Sequence, residues 1–142
     1  MTTTSYVAAA LLSTTVLLAW QTILVGRGRK AAKILYPQMY ADKAEQEAST
    51  EALKFNCKQR AHQNTLENMP VILTTTLITS LKYPKFAAAA CGIWAFSRVF
   101  YTLGYATGDT KKRQRGGFGS FALIALVASS GKAVYDLVKA GV

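Results

Sequence analysis

The apolar positions of this chain fall in four long blocks rather than in short helical or strand periods. Residues 6–26 form the first block, apolar and hydroxyl-bearing side chains without a single charge. At 1.5 Å of rise per residue, about twenty helical residues cover roughly 30 Å, the hydrocarbon thickness of a bilayer. Residues 64–81, 86–108 and 116–138 approach that length, and each carries one or two charges or several polar groups. Only the first block is unambiguous by hydropathy. Together the four predict an all-α integral membrane four-helix bundle, a single domain over residues 1–142.

The boundaries follow from breakers and charge. Helix one spans about residues 6–25 and is expected to stop at Gly26-Arg27-Gly28-Arg29-Lys30, where glycines and cations mark an interface. Tyr36-Pro37 is a break, because the residue before proline avoids helical geometry. Residues 41–54 read as a solvated loop with room for a short helix. Helix two should begin near residues 52–56, in water, and reach the membrane around residues 64–70, with a kink at Pro70. Helix three covers 86 to about 107 and helix four about 117–138, joined by the basic loop 108–117.

Composition and charge change this picture little but orient it. The chain is 51% hydrophobic with a net charge of +10. A nucleic-acid reading fails on the distribution. Of the 17 basic residues, eight lie between the first two spans (Arg27, Arg29, Lys30, Lys33, Lys43, Lys54, Lys58, Arg60) and four between the last two (Lys111, Lys112, Arg113, Arg115). Only Lys82 and Lys85 occupy the middle loop. The excess of cations on loops one and three places them in the cytosol and both termini on the far side. No basic residue precedes residues 6–26 and the cations follow it, the reverse of a secretory leader, so the first helix is expected to stay. Cys57 and Cys91 show no pairing or metal spacing, and His62 is the one histidine, so a multi-histidine metal site is excluded. No C-x-x-C, glycine-rich phosphate loop or G-x-S-x-G occurs.

Candidate chemistry concentrates on two stripes. Arg60, Asn64, Glu67 and Asn68 stand at i, i+4, i+7 and i+8, one face of helix two. Ionised groups at the mouth of a membrane helix are costly, which makes them a functional-site hypothesis. On helix three, Arg98, Tyr101 and Tyr105 stand at i, i+3 and i+7. The topology brings both stripes to one depth near the cytosolic rim, level with the basic loops. Arginines clamp carboxylates, a glutamate holds an ammonium, and asparagine and tyrosine serve amides. Such a set suits a small ligand with two or more carboxylates and an ammonium. The bland readings are an Arg98–Glu67 bridge fixing helix order, belt tyrosines at the interface, and topology charges at Arg113 and Arg115. His62 reads as a polar interface residue before a catalyst.

The stretch from Phe55 to Pro70, with Arg60, Asn64, Glu67 and Pro70, resembles the helix-two signature of the MAPEG family of membrane glutathione-dependent enzymes. Gln63-Asn64-Thr65-Leu66-Glu67 and Arg98-Val99-Phe100-Tyr101-Thr102-Leu103-Gly104-Tyr105 are most similar to its branch of type-three microsomal glutathione transferases, and Arg113-Gln114-Arg115-Gly116-Gly117 matches that branch's basic stretch before helix four. The resemblance covers nearly the whole chain. It implies a homotrimer in the endoplasmic reticulum or nuclear envelope, with glutathione as co-substrate bound between subunits near the cytosolic face. The second substrate would be a lipophilic electrophile or lipid hydroperoxide arriving through membrane lipid.

Matched residue by residue, the resemblance implies that Arg60, Asn64 and Glu67 are core glutathione contacts, with Tyr101 and Tyr105 adding to them. It implies that Arg115 holds the sulfur as thiolate, with Arg113 as competitor. One of Arg29 and Lys30 is expected to meet a glutathione carboxylate. Asn68 stands where some relatives have tyrosine and His62 where some have glutamine, so contacts there differ. The alternative function is a non-catalytic lipid-binding protein of the same fold. A small transporter has less support, since no glycine-broken helix pair occurs.

Overall fold

The structure is a computed structural model that describes residues 3–141. It consists of α1 (Thr3–Ala32), α2 (Lys43–Ala48), α3 (Thr50–Ser80), α4 (Pro84–Tyr105), a 3-10 segment (Thr110–Gly116) and α5 (Gly119–Lys139). All-helical architecture is thus as expected, and α1, α4 and α5 are long and apolar enough to cross a membrane. The fourth long helix, α3, has the length but not the composition, because the polar stripe from Arg60 to Asn68 occupies its middle.

The helices pair by register. Gln21 of α1 reaches both Thr65 of α3 and Thr102 of α4, and Ala10 of α1 accepts a hydrogen bond from the Cys91 thiol of α4. α1 and α4 therefore run parallel. α3 runs antiparallel to α1, since Gly28 packs on Phe55 and Lys58 while Gln21 meets Thr65. α3 touches α1, α4 and α5. Between them lies a core of Leu17, Met69, Ile72, Trp94, Ala95 and Leu126. Outward-facing Leu12, Phe96, Phe121, Ile124 and Val138 stay exposed, as side chains meant for lipid would.

Three boundaries differ from the sequence reading. α1 continues through Gly26 and Gly28 to Ala32. It closes where Lys33 takes a left-handed backbone (φ 57) and the Ile34 amide returns to the Arg29 carbonyl at 3.2 Å. Gly28 is spent instead on close approach: a Cβ there would fall 3.0 Å from Lys58 Cδ. The loop 41–54 is mostly helical, because Asp42 and Glu45 form a capping box that starts α2 and Ser49 caps α3 at Thr50. The basic loop winds into the 3-10 segment, with Asp109 accepting from the Lys111 amide at its start. α3 runs on through Pro70, whose ring removes one backbone donor without ending the helix.

Candidate functional site

The α3 stripe splits into an outer and an inner edge. On the outer edge Arg60 Nη1 donates to Glu67 Oε1 at 2.8 Å, with both side chains nearly half exposed. On the inner edge Asn64 Oδ1 accepts from Arg98 Nη2 at 2.7 Å, and Asn68 Nδ2 donates to the Asn64 carbonyl at 2.8 Å. Arg98 is buried; its Nε donates to Thr65 Oγ1 at 3.2 Å and its guanidinium lies 3.8 Å above the Tyr101 ring. The Arg98–Glu67 bridge considered from sequence does not form. Glu67 faces outward, whereas Arg98 is tucked inside against Asn64 and Thr65, so each takes the partner on its own side.

The 3-10 segment folds back onto α4 at backbone distance. A Cβ on Gly104 would fall 2.1 Å from the Lys112 carbonyl oxygen, and one on Gly116 would fall 2.5 Å from the Ser97 carbonyl oxygen. Only glycine permits that approach. It sets Arg113 5.7 Å over the Tyr105 ring, and Tyr105 stacks edge-on with Tyr101 at 5.7 Å. Beneath the segment is a cavity of about 290 Å³ whose walls include Asn64, Asn68, Arg98, Tyr101 and Arg113. The residues around it at the start of α5, Gly117, Gly119 and Ser120, bring a helix N-terminus to the same space.

The remaining candidates lie elsewhere. Arg115 is exposed and outside the cavity wall. Tyr105 and the Arg60–Glu67 pair flank the cavity rather than line it. His62 turns its Nδ1 to Gln21 Oε1 at 3.4 Å. Arg29 is buried and committed to the loop after α1: Nη1 donates to the Gln38 carbonyl at 2.6 Å, and the guanidinium sits 4.4 Å over Tyr36 and 4.7 Å over Phe55. Lys30 is exposed.

That loop adds a residue the spacing did not single out. Asn56 holds Ala41 by both its amide (2.8 Å) and its carbonyl (2.9 Å), and the Arg29 bonds pin the preceding turn. So held, Tyr40 lays its hydroxyl on Gln63 Oε1 at 2.9 Å, on the α3 face between Arg60 and Glu67. Burial raises its phenol pKa above the ordinary value, with Arg60 opposing and Glu67 and Tyr105 adding to the rise. Tyr40 therefore shares a field with Arg60, Glu67 and Tyr105. Gln21 is the second residue missed; its signal was available, a lone amide in an otherwise apolar, uncharged span. Among the described residues no group of three or more His, Cys, Asp or Glu could hold a metal ion.

A family comparison matches residues 7–135, nearly the whole chain. The chain belongs to the MAPEG family. MAPEG proteins include membrane glutathione transferases, peroxidase-like members and leukotriene-C-forming members, and they use glutathione. Membership accords with the three helices able to cross a membrane. It also makes the polar cavity at the basic end of the bundle the place to look for this MAPEG chain's chemistry.

Proposed function

We propose that this MAPEG protein is a membrane glutathione transferase of the type-three microsomal branch. It ionises the glutathione thiol for conjugation to lipophilic electrophiles, for reduction of lipid hydroperoxides, or for both. The observation that carries this reading is the cavity that gathers Asn64, Asn68, Arg98, Tyr101 and Arg113 beside the Arg60–Glu67 pair. Its cations outnumber its carboxylates, as a peptide with two carboxylates and one ammonium requires. Arg98 and Arg60 serve carboxylates, Glu67 the ammonium, and Asn64, Asn68 and the tyrosine hydroxyls the amides.

A free thiol with pKa ~8.5 is a minor thiolate at neutral pH. A guanidinium held within hydrogen-bond reach favours the anion. Lowering the thiol pKa by ~1–2 units, at ~1.4 kcal/mol each, makes most of the bound peptide nucleophilic. The position of Arg113 over Tyr105 and on the cavity wall supports it for that role over Arg115. The thiolate attacks the electrophilic carbon; a leaving group departs as its anion, or an opened epoxide oxygen takes up a proton. With a hydroperoxide it attacks the terminal oxygen, breaking the O–O bond to give a sulfenic acid and an alkoxide that takes up a proton, and a second glutathione thiol then displaces water to close the disulfide. Arg29 serves the site indirectly, as the anchor of the loop that carries Tyr40.

α3 is the fourth span on this reading, its polar stripe shielded by a neighbouring subunit in a homotrimer. A half-exposed Arg60–Glu67 pair facing lipid would be costly, and a second copy covers it. The site lies near the cytosolic face of the endoplasmic reticulum or nuclear envelope. The decisive experiment adds glutathione to the purified protein and follows ultraviolet thiolate absorbance. A thiolate band that disappears in Arg113→Ala supports the transferase. An apolar groove of about 890 Å³ between α1 and α4, lined by Leu17, Trp20, Ala88 and Phe96, favours the second reading, a lipid-binding protein without catalysis. Retained lipid with no thiolate band would establish that one instead.

A further inference from the structure

Behind the cavity lies an enclosed polar cluster. Gln21, 1% exposed, sends its amide N–H groups to Thr65 Oγ1 at 3.0 Å and Thr102 Oγ1 at 2.7 Å, while its Oε1 faces His62 Nδ1 at 3.4 Å. Neither threonine has a proton left for Gln21. Thr65 donates to the Ala61 carbonyl at 3.0 Å and Thr102 to the Arg98 carbonyl at 2.7 Å. Both hydroxyls can only accept from the amide, so the amide cannot turn over without setting its oxygen against two others. Thr65 Oγ1 then receives a second donor, Arg98 Nε, at 3.2 Å. With Asn64 taking Nη2 and the Tyr101 ring below the guanidinium plane, the Arg98 head has one orientation. Among the described residues no carboxylate pairs with Arg98. A buried arginine held this firmly and left without a counter-charge is set to receive an anion from the cavity it lines.

We propose that Gln21, acting through the Thr65 hydroxyl, is a positioning residue that aims the Arg98 guanidinium at a carboxylate of the bound peptide. The inference rests on the glutathione reading above and deepens it. It gives α1, whose first charge is Arg27, a part in substrate affinity exerted through Gln21 rather than by direct contact.

The test compares Thr65→Val, which keeps the shape and removes the oxygen, with Thr65→Ser, which restores it, in trimer-competent detergent or nanodisc preparations. Two readouts are taken. Steady-state kinetics should show KM for glutathione rising about tenfold in Thr65→Val with kcat nearly unchanged, and Thr65→Ser recovering most of the loss. Without ligand, nitrogen-15 spectra of arginine-labelled protein should lose the hydrogen-bonded Arg98 Nε–H signal in Thr65→Val and regain it in Thr65→Ser. Equal KM in the two variants, or an Arg98 signal indifferent to the hydroxyl, overturns the proposal. Gln21→Met is measured beside them and leaves the Thr65 hydroxyl in place, so KM for glutathione should rise by a smaller factor and the Arg98 Nε–H signal should shift without being lost; an unchanged KM and signal in Gln21→Met overturns the part assigned to Gln21. A parent protein that binds no glutathione defeats the functional reading, and the ligand-free spectra still decide the positioning claim.

Discussion

The two ends of the bundle both carry cations beside tyrosines, and they treat them differently. At the end holding the α3–α4 turn, Lys132 Nζ meets Asp136 Oδ2 at 2.7 Å, the Tyr83 hydroxyl donates to the same carboxylate, and Thr79 bonds Ser129 at 3.1 Å. That end is closed on itself and stitches α3 and the α3–α4 turn to α5. At the opposite end Arg98 has only neutral partners and Arg113 has an aromatic face, and among the described residues neither pairs with a carboxylate. The Lys132 charge is spent within the protein, as are those of Arg60, Lys54 and Lys112 at the basic end. Arg98 and Arg113 differ in having no such carboxylate, which is the feature the proposed peptide site draws on.

The largest test of that contrast is Arg113→Ala, which should lower turnover on the order of 10²–10³-fold, the loss typical of removing one donor that stabilises a reacting anion. The pH profile should move with it. A thiol whose pKa is depressed stays nucleophilic until pH falls through the depressed value, so the parent should lose activity only below neutrality. Arg113→Ala should lose it below ~8.5, the value of the free thiol. Arg115→Ala should stay within about twofold of the parent; the opposite ranking would reassign the thiolate to Arg115. Glu67→Gln should raise KM for glutathione about tenfold in steady-state assays while leaving kcat nearly intact, since it removes binding common to ground and transition states. Tyr40→Phe should weaken glutathione binding about threefold by titration calorimetry, the share of one hydroxyl at the rim. Smallest of all, Asp136→Asn should leave turnover unchanged and lower the thermal midpoint by about one or two degrees, as expected of a solvent-screened pair. Turnover falling as far in Asp136→Asn as in Arg113→Ala would erase the distinction between the ends.

Both stripes were legible because helical spacing alone puts Arg60, Asn64, Glu67 and Asn68 on one face and Arg98 with Tyr101 on another. Their meeting is realised in the Arg98–Asn64 bond. Which of the two loop arginines lines the cavity was not legible. Arg113 and Arg115 are two residues apart in a basic run, and what separates them is a backbone contact at Gly104 and Gly116 that no spacing reveals. One of Arg29 and Lys30 was expected at a carboxylate; spacing does not reveal that Arg29 reaches the carbonyls of Gln38 and Met39 while Lys30 stays exposed. The end of α1 was misplaced because Gly26 and Gly28 suggested a stop, whereas Gly28 supplies clearance for Phe55 and Lys58. Tyr40 reaches the site only through a loop whose path is set by Asn56 and Arg29 together.

The polarity of α3 has a consequence for biogenesis. A 31-residue helix that carries Arg60, Asn64, Glu67 and Asn68 is a poor passenger for the lipid phase by itself, since an ionised residue costs about 2.5–3.5 kcal/mol at the centre of a span and a smaller share of that toward the rim. Its neighbours α1, α4 and α5 have the length and the apolar composition of spans. On the proposal that α3 is the fourth span, the newly made chain retains α3 beside the insertion machinery, or against α1, until α4 emerges and Arg98 reaches Asn64.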